Sequence, residues 1–175
     1  MNSVPMLPTP EERPLTVTAV YSGLRDQAGA TLRVMNGFMN AWKTKPMFVM
    51  LARKVCSLAG AKTRAEESEA VRAWVRANIA YRNDPAGEEW VQDPLATLIH
   101  RAGDCDDMAV LAGTLLQAIG HSCRALGVHW KGRQWPSHAV CRDDMTGLII
   151  DPCTKVPAIA WPPKGFEVQR FLEGS

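Results

Sequence analysis

The chain has no glycine-rich phosphate loop and no dinucleotide fingerprint, so the familiar nucleotide-binding signatures are missing. It has no large excess of either charge. Twenty Lys and Arg stand against eighteen Asp and Glu, and a net +2 argues against a nucleic-acid partner. Lys131-Gly132-Arg133 is a small solvated turn rather than a phosphate site. No apolar run can span a bilayer, since the longest aliphatic patch lies only between Met47 and Leu51. No charged segment followed by an apolar signal core opens the sequence, which predicts a cytoplasmic location. Cys56, Cys105, Cys123, Cys141 and Cys153 form no C-x-x-C pair, and their odd number fits reduced thiols. His121, Cys123 and Cys141 lack zinc-ligand spacing, so no metal site is expected there. Neither an internal repeat nor a second domain stands out.

One stretch carries most of the chemical information, Arg101-Ala-Gly-Asp-Cys-Asp-Asp-Met-Ala-Val-Leu. From Cys105 onward, Met108, Leu111, Leu115, Leu116 and Ile119 fall at helical spacing and predict a buried face. Asp104 is a suitable N-cap, Asp106 and Asp107 favour the first turn, and Gly120 suits the C-terminal end. A thiol at a helix start feels unpaired backbone N–H groups, which favour thiolate. Three flanking aspartates oppose that effect, so an imidazole is needed nearby. His138 and Asp151 supply a base and an orienting group. Ser137 to Arg142 and Leu148 to Asp151 read as two strands of a hairpin. In an unbulged hairpin with a two- or four-residue loop, His138 and Asp151 come directly opposite on one face. Cys105, His138 and Asp151 then have the nucleophile, base and orienter relationship of covalent catalysis.

The runs Gly103-Asp-Cys-Asp-Asp-Met-Ala109, Leu115-Leu-Gln-Ala-Ile-Gly120, His138-Ala-Val140 and Asp151-Pro152 resemble the transglutaminase-like branch of the papain-type cysteine enzymes. Ile79-Ala-Tyr-Arg-Asn-Asp84 and Gln92-Asp-Pro94 extend that resemblance, which covers roughly residues 64–155. The sequence also resembles stand-alone members encoded by tailed bacteriophages. The resemblance implies an α+β fold, with N-terminal helices and a nucleophile helix packed on a small antiparallel sheet. It also implies catalytic Cys105, His138 and Asp151. Some periplasmic relatives bind calcium through acids beside the cysteine, which here would be Asp104, Asp106 and Asp107. Capping already accounts for these residues and no calcium loop is present, so no cofactor is expected. Where many relatives have an aromatic residue after the histidine, this chain has Ala139-Val140. Gln92 and Trp90 are candidates for an oxyanion donor beside the Cys105 N–H, and either reads equally as a packing residue.

The rest divides into a Pro-rich arm (1–14), a helical region (15–63), the transglutaminase-like core (64–155) and a Pro-rich tail (156–175). Residues from about Thr18 to Ala41 read as helical. Pro46 opens a helix ending at Gly60, Thr63 to Glu66 is a capping box, and Asp93-Pro94 starts a short helix. Trp130 and Trp135 are candidates for a substrate groove, and Trp161 lies near them in sequence. Core packing is the alternative for these tryptophans.

Two functional classes follow. One is a cysteine-dependent amide or peptide hydrolase acting on protein or peptidoglycan peptides, with a lysine amine in place of water giving a cross-link. The other is a non-catalytic phage tail or virion component that reuses the fold and docks through its N-terminal arm. Both place the protein in the host cytoplasm or in the virion.

Overall fold

The computed structural model describes residues 14–19, 24–86, 88–133 and 136–173. Most of the N-terminal arm, together with Trp135, lies outside the described residues. The fold is built around α5 (Cys105–Ala118), in which every residue from Asp106 to Leu116 is buried. A helix covered on all sides needs neighbours on all sides. They are α1 (Leu24–Trp42), α2 (Pro46–Ala59), α3 (Arg64–Asn78), the short α4 (Pro94–His100) and a four-stranded antiparallel sheet.

Local signals set the helix ends. Pro46 stands in the first turn of α2, where its missing N–H costs nothing. Gly60 ends α2 with φ of 68°, a left-handed conformation suited to glycine. Thr63 and Glu66 form the expected reciprocal capping box of α3, and Asp93 caps α4. In α1, Leu32, Met35 and Met39 repeat at helical spacing and are buried. Asn36 Oδ1 on the same helix accepts the Ala125 N–H at 2.9 Å, tying α1 to the sheet.

The region read as helical from Thr18 instead begins with a strand, β1 (Thr16–Ala19), which pairs antiparallel with β3 (Glu89–Gln92). β-Branched Thr16, Val17 and Thr18 suit a strand, and an available partner edge outweighs any helical pattern. Two short strands, β2 (Ala80–Tyr81) and β4 (Ala102–Gly103), pair in parallel just before the cysteine helix. The main sheet runs β7-β6-β5-β8, with β5 at Cys123–Trp130, β6 at His138–Asp143, β7 at Ile149–Ile150 and β8 at Val168–Glu173. Its outer strand β8 comes from the segment read as a tail, and it covers the β5 edge that would otherwise stand open.

The hairpin forms with a different register from the one expected. Cys141 pairs with Ile150 and Arg142 with Ile149. Continuing that ladder sets Asp151 opposite Val140, so His138 and Asp151 are diagonal rather than directly opposite. The parity survives, and both side chains remain on one face.

A buried ionic cluster joins this hairpin to α3. His121 Nδ1 lies 2.8 Å from Asp143 Oδ2, and His121 Nε2 lies 3.0 Å from Glu67 Oε2. Asp143 also accepts from Thr146 Oγ1 at 2.8 Å and from the Met145 N–H at 3.0 Å. Burial works to raise the Asp143 carboxyl, but its bonds to His121, Thr146 and Met145 prevail and hold it below the ordinary range. A depressed folded-state pKa stabilises the protein above the unfolded carboxylate value of about 3.9, and that stability is lost as pH falls through the folded value. Asp143→Asn is therefore expected to cost about 1–3 kcal/mol at neutral pH and to flatten the acid limb of stability. Urea unfolding from neutral pH down through the carboxylate range measures both. An unchanged acid slope would remove Asp143 from this role.

Candidate active site

The cysteine is set by a tight turn. β4 ends at Gly103, Asp104 caps the helix, and Cys105 is its first residue. Gly103 has no room for a side chain: a Cβ there would sit 2.5 Å from Asp107 Oδ2 and 2.6 Å from Asp107 Cβ. Asp107 closes the capping box onto Asp104, and its Oδ1 accepts the Gln92 N–H at 2.7 Å. Burial first, with the charges of Asp104 and Asp84, pushes the Asp107 carboxyl up to about 7 against the pull of Gln92.

This arrangement engages the expected oxyanion donor Gln92. Its Nε2 donates to Asp107 Oδ2 and to the Ala102 carbonyl at 3.1 Å, while its Oε1 meets His100 Nδ1 at 2.6 Å. Both amide hydrogens are used in holding the start of α5. The Trp90 indole donates to Glu88 Oε2 at 2.6 Å. Gln92 and Trp90 line a separate cleft with His100 and Asp107, away from the sulfur. Neither has a donor directed at the Cys105 cleft.

Cys105 and His138 line one cleft of about 370 Å³, together with Tyr81, Glu89, Asp104 and Asp106. His138 Nε2 is 2.9 Å from Asp151 Oδ2, which leaves Nδ1 as the ring nitrogen available to the cleft. Asp151 Oδ2 also accepts the Trp161 indole N–H at 3.0 Å, and Oδ1 accepts the Cys153 N–H at 3.0 Å. Burial acts to raise Asp151, but His138, Trp161 and the Cys153 N–H outweigh it and keep the carboxyl below its ordinary value. The loop carrying Asp151 is strapped to α3. Arg72 Nη1 holds the Thr154 carbonyl at 2.7 Å, and Arg76 Nη1 holds that of Cys153 at 2.8 Å. Trp130 stacks on the His138 ring with centroids 6.1 Å apart, and it also packs against Trp161 at 5.7 Å. Of the two groove candidates, Trp130 therefore backs the imidazole, and it lines a neighbouring cleft with Arg133 and Phe166.

The sulfur is not a resting thiolate. Burial first, then the charges of Asp106 and Asp104, raise the Cys105 thiol well above its usual value, with the Ala139 N–H turned toward it in partial compensation. Asp106 is itself raised well above the carboxylate range by burial and by its contact with Asp104. Its buried Oδ2 has no donor partner among the described residues. Burial and the neighbouring Asp104 thus favour the neutral form of Asp106 beside the thiol.

Tyr81 is the cleft residue to which the sequence assigned no role, although it lies in the Ile79-to-Asp84 run. The parallel β2–β4 pair sets it opposite Gly103, two residues before the cysteine. Partial desolvation of its hydroxyl, followed by the neighbouring Cys105 and Asp104 groups, raises it and favours the neutral phenol, although the residue as a whole stays exposed.

Solved structures of low sequence identity resemble this chain, and the two with TM-scores above 0.5 share its fold. A calcium-bound form of LapG from Legionella pneumophila is 15% identical with a TM-score of 0.53, covering 81% of this chain and 83% of that one. A candidate protease from Parabacteroides distasonis is 14% identical with a TM-score of 0.51, over 74% of this chain and 26% of that one. A candidate cysteine protease from Cytophaga hutchinsonii is 18% identical with a TM-score of 0.47, over 73% and 43%. The chain thus spans less than half of each of these last two proteins. No curated protein matches the sequence. Residues 48–142, running from α2 through the cysteine helix into β6, match the transglutaminase-like superfamily, and the chain belongs to that family.

Proposed function

We propose that the chain is a cysteine-dependent acyl-transfer enzyme that hydrolyses amide bonds in proteins or peptides, with Cys105 as nucleophile, His138 as base and Asp151 as orienter. The observation that carries this reading is the 2.9 Å His138 Nε2–Asp151 Oδ2 contact on the wall of the cleft that holds Cys105. Asp151 keeps the Nε2 proton, so Nδ1 is the basic lone pair. As Sγ attacks the substrate carbonyl, Nδ1 takes the thiol proton and later delivers it to the departing amine. Water then cleaves the thioester, returning the carboxylic acid and the free thiol. The Cys105 N–H, which as the first of the helix has no intrahelical acceptor, and the Tyr81 hydroxyl are the oxyanion donors of the proposal. The likeness to tailed-bacteriophage members extends the proposal to a virion-associated enzyme, a setting that rests on the sequence resemblance.

The Asp104–Asp106 pair supports a cation reading as well. Asp104, Cys105 and Asp106 bring their ligand atoms within 4.8 Å of one another, and the unpartnered Asp106 Oδ2 adds a hard oxygen. The carboxylates of Asp104 and Asp106 are of the kind that binds calcium, the ion bound in the LapG structure. Calcium would then supply the countercharge that the pair lacks. Added calcium is expected to raise the melting temperature of the protein, and Asp106→Asn to remove the increment. A rise that persists in the variant would rule the pair out.

Against a peptide library, Cys105→Ala is expected to abolish turnover, and Asp151→Asn to lower kcat/KM by about 10²–10⁴. Tyr81→Phe should lower kcat by about 10–10² with KM little changed. If turnover survived Cys105→Ala, the nucleophile assignment would fail, and turnover by no variant or parent would favour a binding module. Asp104→Asn keeps a capping oxygen while removing charge beside the sulfur. Alkylation of Cys105 at neutral pH should consequently speed up by roughly three- to tenfold. An unchanged rate would show that Asp104 does not set the thiol.

A further inference from the structure

We propose that His138 Nε2, Asp151 Oδ2 and Cys153 Sγ form a binding site for a thiophilic divalent cation, zinc foremost, that reversibly switches off the base of the Cys105 cleft. The ligand atoms of these three residues lie within 4.8 Å of one another. Their chemistry sets them apart from the Asp104–Asp106 pair. An imidazole nitrogen, a carboxylate oxygen and a thiol sulfur together suit zinc or cobalt, whereas paired carboxylates suit calcium.

The sulfur is presented by ordered structure. Cys153 donates its N–H to Asp151 Oδ1 at 3.0 Å, so the sulfur-bearing residue and the carboxylate belong to one turn. Arg76 fixes the Cys153 carbonyl from α3 at 2.8 Å. Neither Cys153 nor His138 is fully buried, which leaves a route for the ion and for a water in the fourth position. The His138–Asp151 separation of 2.9 Å suits the proton now held there. A metal with bonds of about 2.0–2.2 Å needs only a few tenths of an ångström more between them at a tetrahedral angle.

The proton inventory explains the switch. A metal on Nε2 displaces the proton there, which moves to Nδ1, and the Cys153 thiol proton leaves to solvent. The thiolate and the Asp151 carboxylate then balance the divalent charge. Nδ1 becomes an N–H donor and no longer accepts a proton from Cys105. Only the loss of catalytic function rests on the triad reading, because binding itself needs neither Cys105 nor turnover.

The test separates the two. Cobalt is titrated into the Cys105→Ala protein, with near-ultraviolet sulfur-to-cobalt charge transfer and visible tetrahedral bands as readouts. One equivalent should bind with both signatures. Adding Cys153→Ser should remove the charge-transfer band and weaken binding by at least about tenfold. In the parent protein, zinc should slow alkylation of Cys105 and a chelator should restore it. Cys153→Ser alone should be insensitive to zinc, its rate with zinc matching its own metal-free rate. The proposal is overturned if Cys105→Ala binds no cobalt, or if the band survives Cys153→Ser. Cobalt binding without any peptide hydrolysis would leave this site standing and remove the hydrolase reading instead.

Discussion

Everything in this fold answers to a helix that is buried on every side. From Asp106 to Leu116 no residue of α5 reaches solvent appreciably, so four helices and a sheet must close around it. The start of such a helix is also inside the protein, where unpaired N–H groups need partners that water cannot supply. Asp104 and Asp107 meet that need, and Gln92 in turn meets the second carboxylate. Cys105 occupies the first helical position, at the edge of the cleft. Asp104, which caps the helix, is also one of the two carboxyls, with Asp106, that oppose ionisation of its thiol. Capping and nucleophilicity therefore compete at one turn, and capping prevails in the resting state.

The His138–Asp151 pair is assembled from a different part of the molecule. His138 begins β6, whereas Asp151 lies just beyond β7, in a loop with little regular structure of its own. That loop is placed by charge-assisted bonds from Arg72 and Arg76 to its carbonyls and by Glu69, whose Oε2 accepts the Ala158 N–H at 2.9 Å. Tryptophans complete the support, Trp161 through its N–H and Trp130 through its ring. α3 thus positions Asp151 from the back, while α5 carries Cys105 in front.

The legible parts of the sequence were those fixed by neighbours within a few residues. The cap at Asp104, the capping box at Thr63 and the end at Gly60 depend on local hydrogen bonds and φ, and all appear as read. The shared face of His138 and Asp151 was legible because strand parity is local; their register was not, because it depends on how the six residues of the 143–148 turn close. The part Gln92 plays in the fold could not be read from spacing. Its partners Asp107, Ala102 and His100 lie 8 to 15 residues away, and only the fold reveals that they consume its amide. Strands β1 and β8 were missed for a related reason, since each is defined by a partner strand far along the chain. Tyr81 carried no signal of its own, because its role depends on a two-residue parallel pairing that brings it to the cleft.

The acidic wall has an effect beyond the resting thiol. On the proposed mechanism, proton transfer in the attacking complex would place negative charge on sulfur or substrate oxygen and positive charge on the imidazole. A fixed negative charge penalises the first and favours the second, and the balance depends on which pole lies nearer. Asp151 is ionised and in direct contact with the imidazole, and so acts almost wholly on the positive pole. Asp106 and Asp104, by contrast, both act to raise the Cys105 thiol. The wall therefore discourages a thiolate waiting without substrate, while Asp151 supports the imidazolium once a carbonyl is present to receive the sulfur's electrons. On the proposed reading, such a site would hold Cys105 in the less oxidisable thiol form until substrate arrives, because thiolate character governs oxidation as well as attack. The turn that folds Cys105 into place would then keep it quiet, with His138 as the group proposed to take its proton.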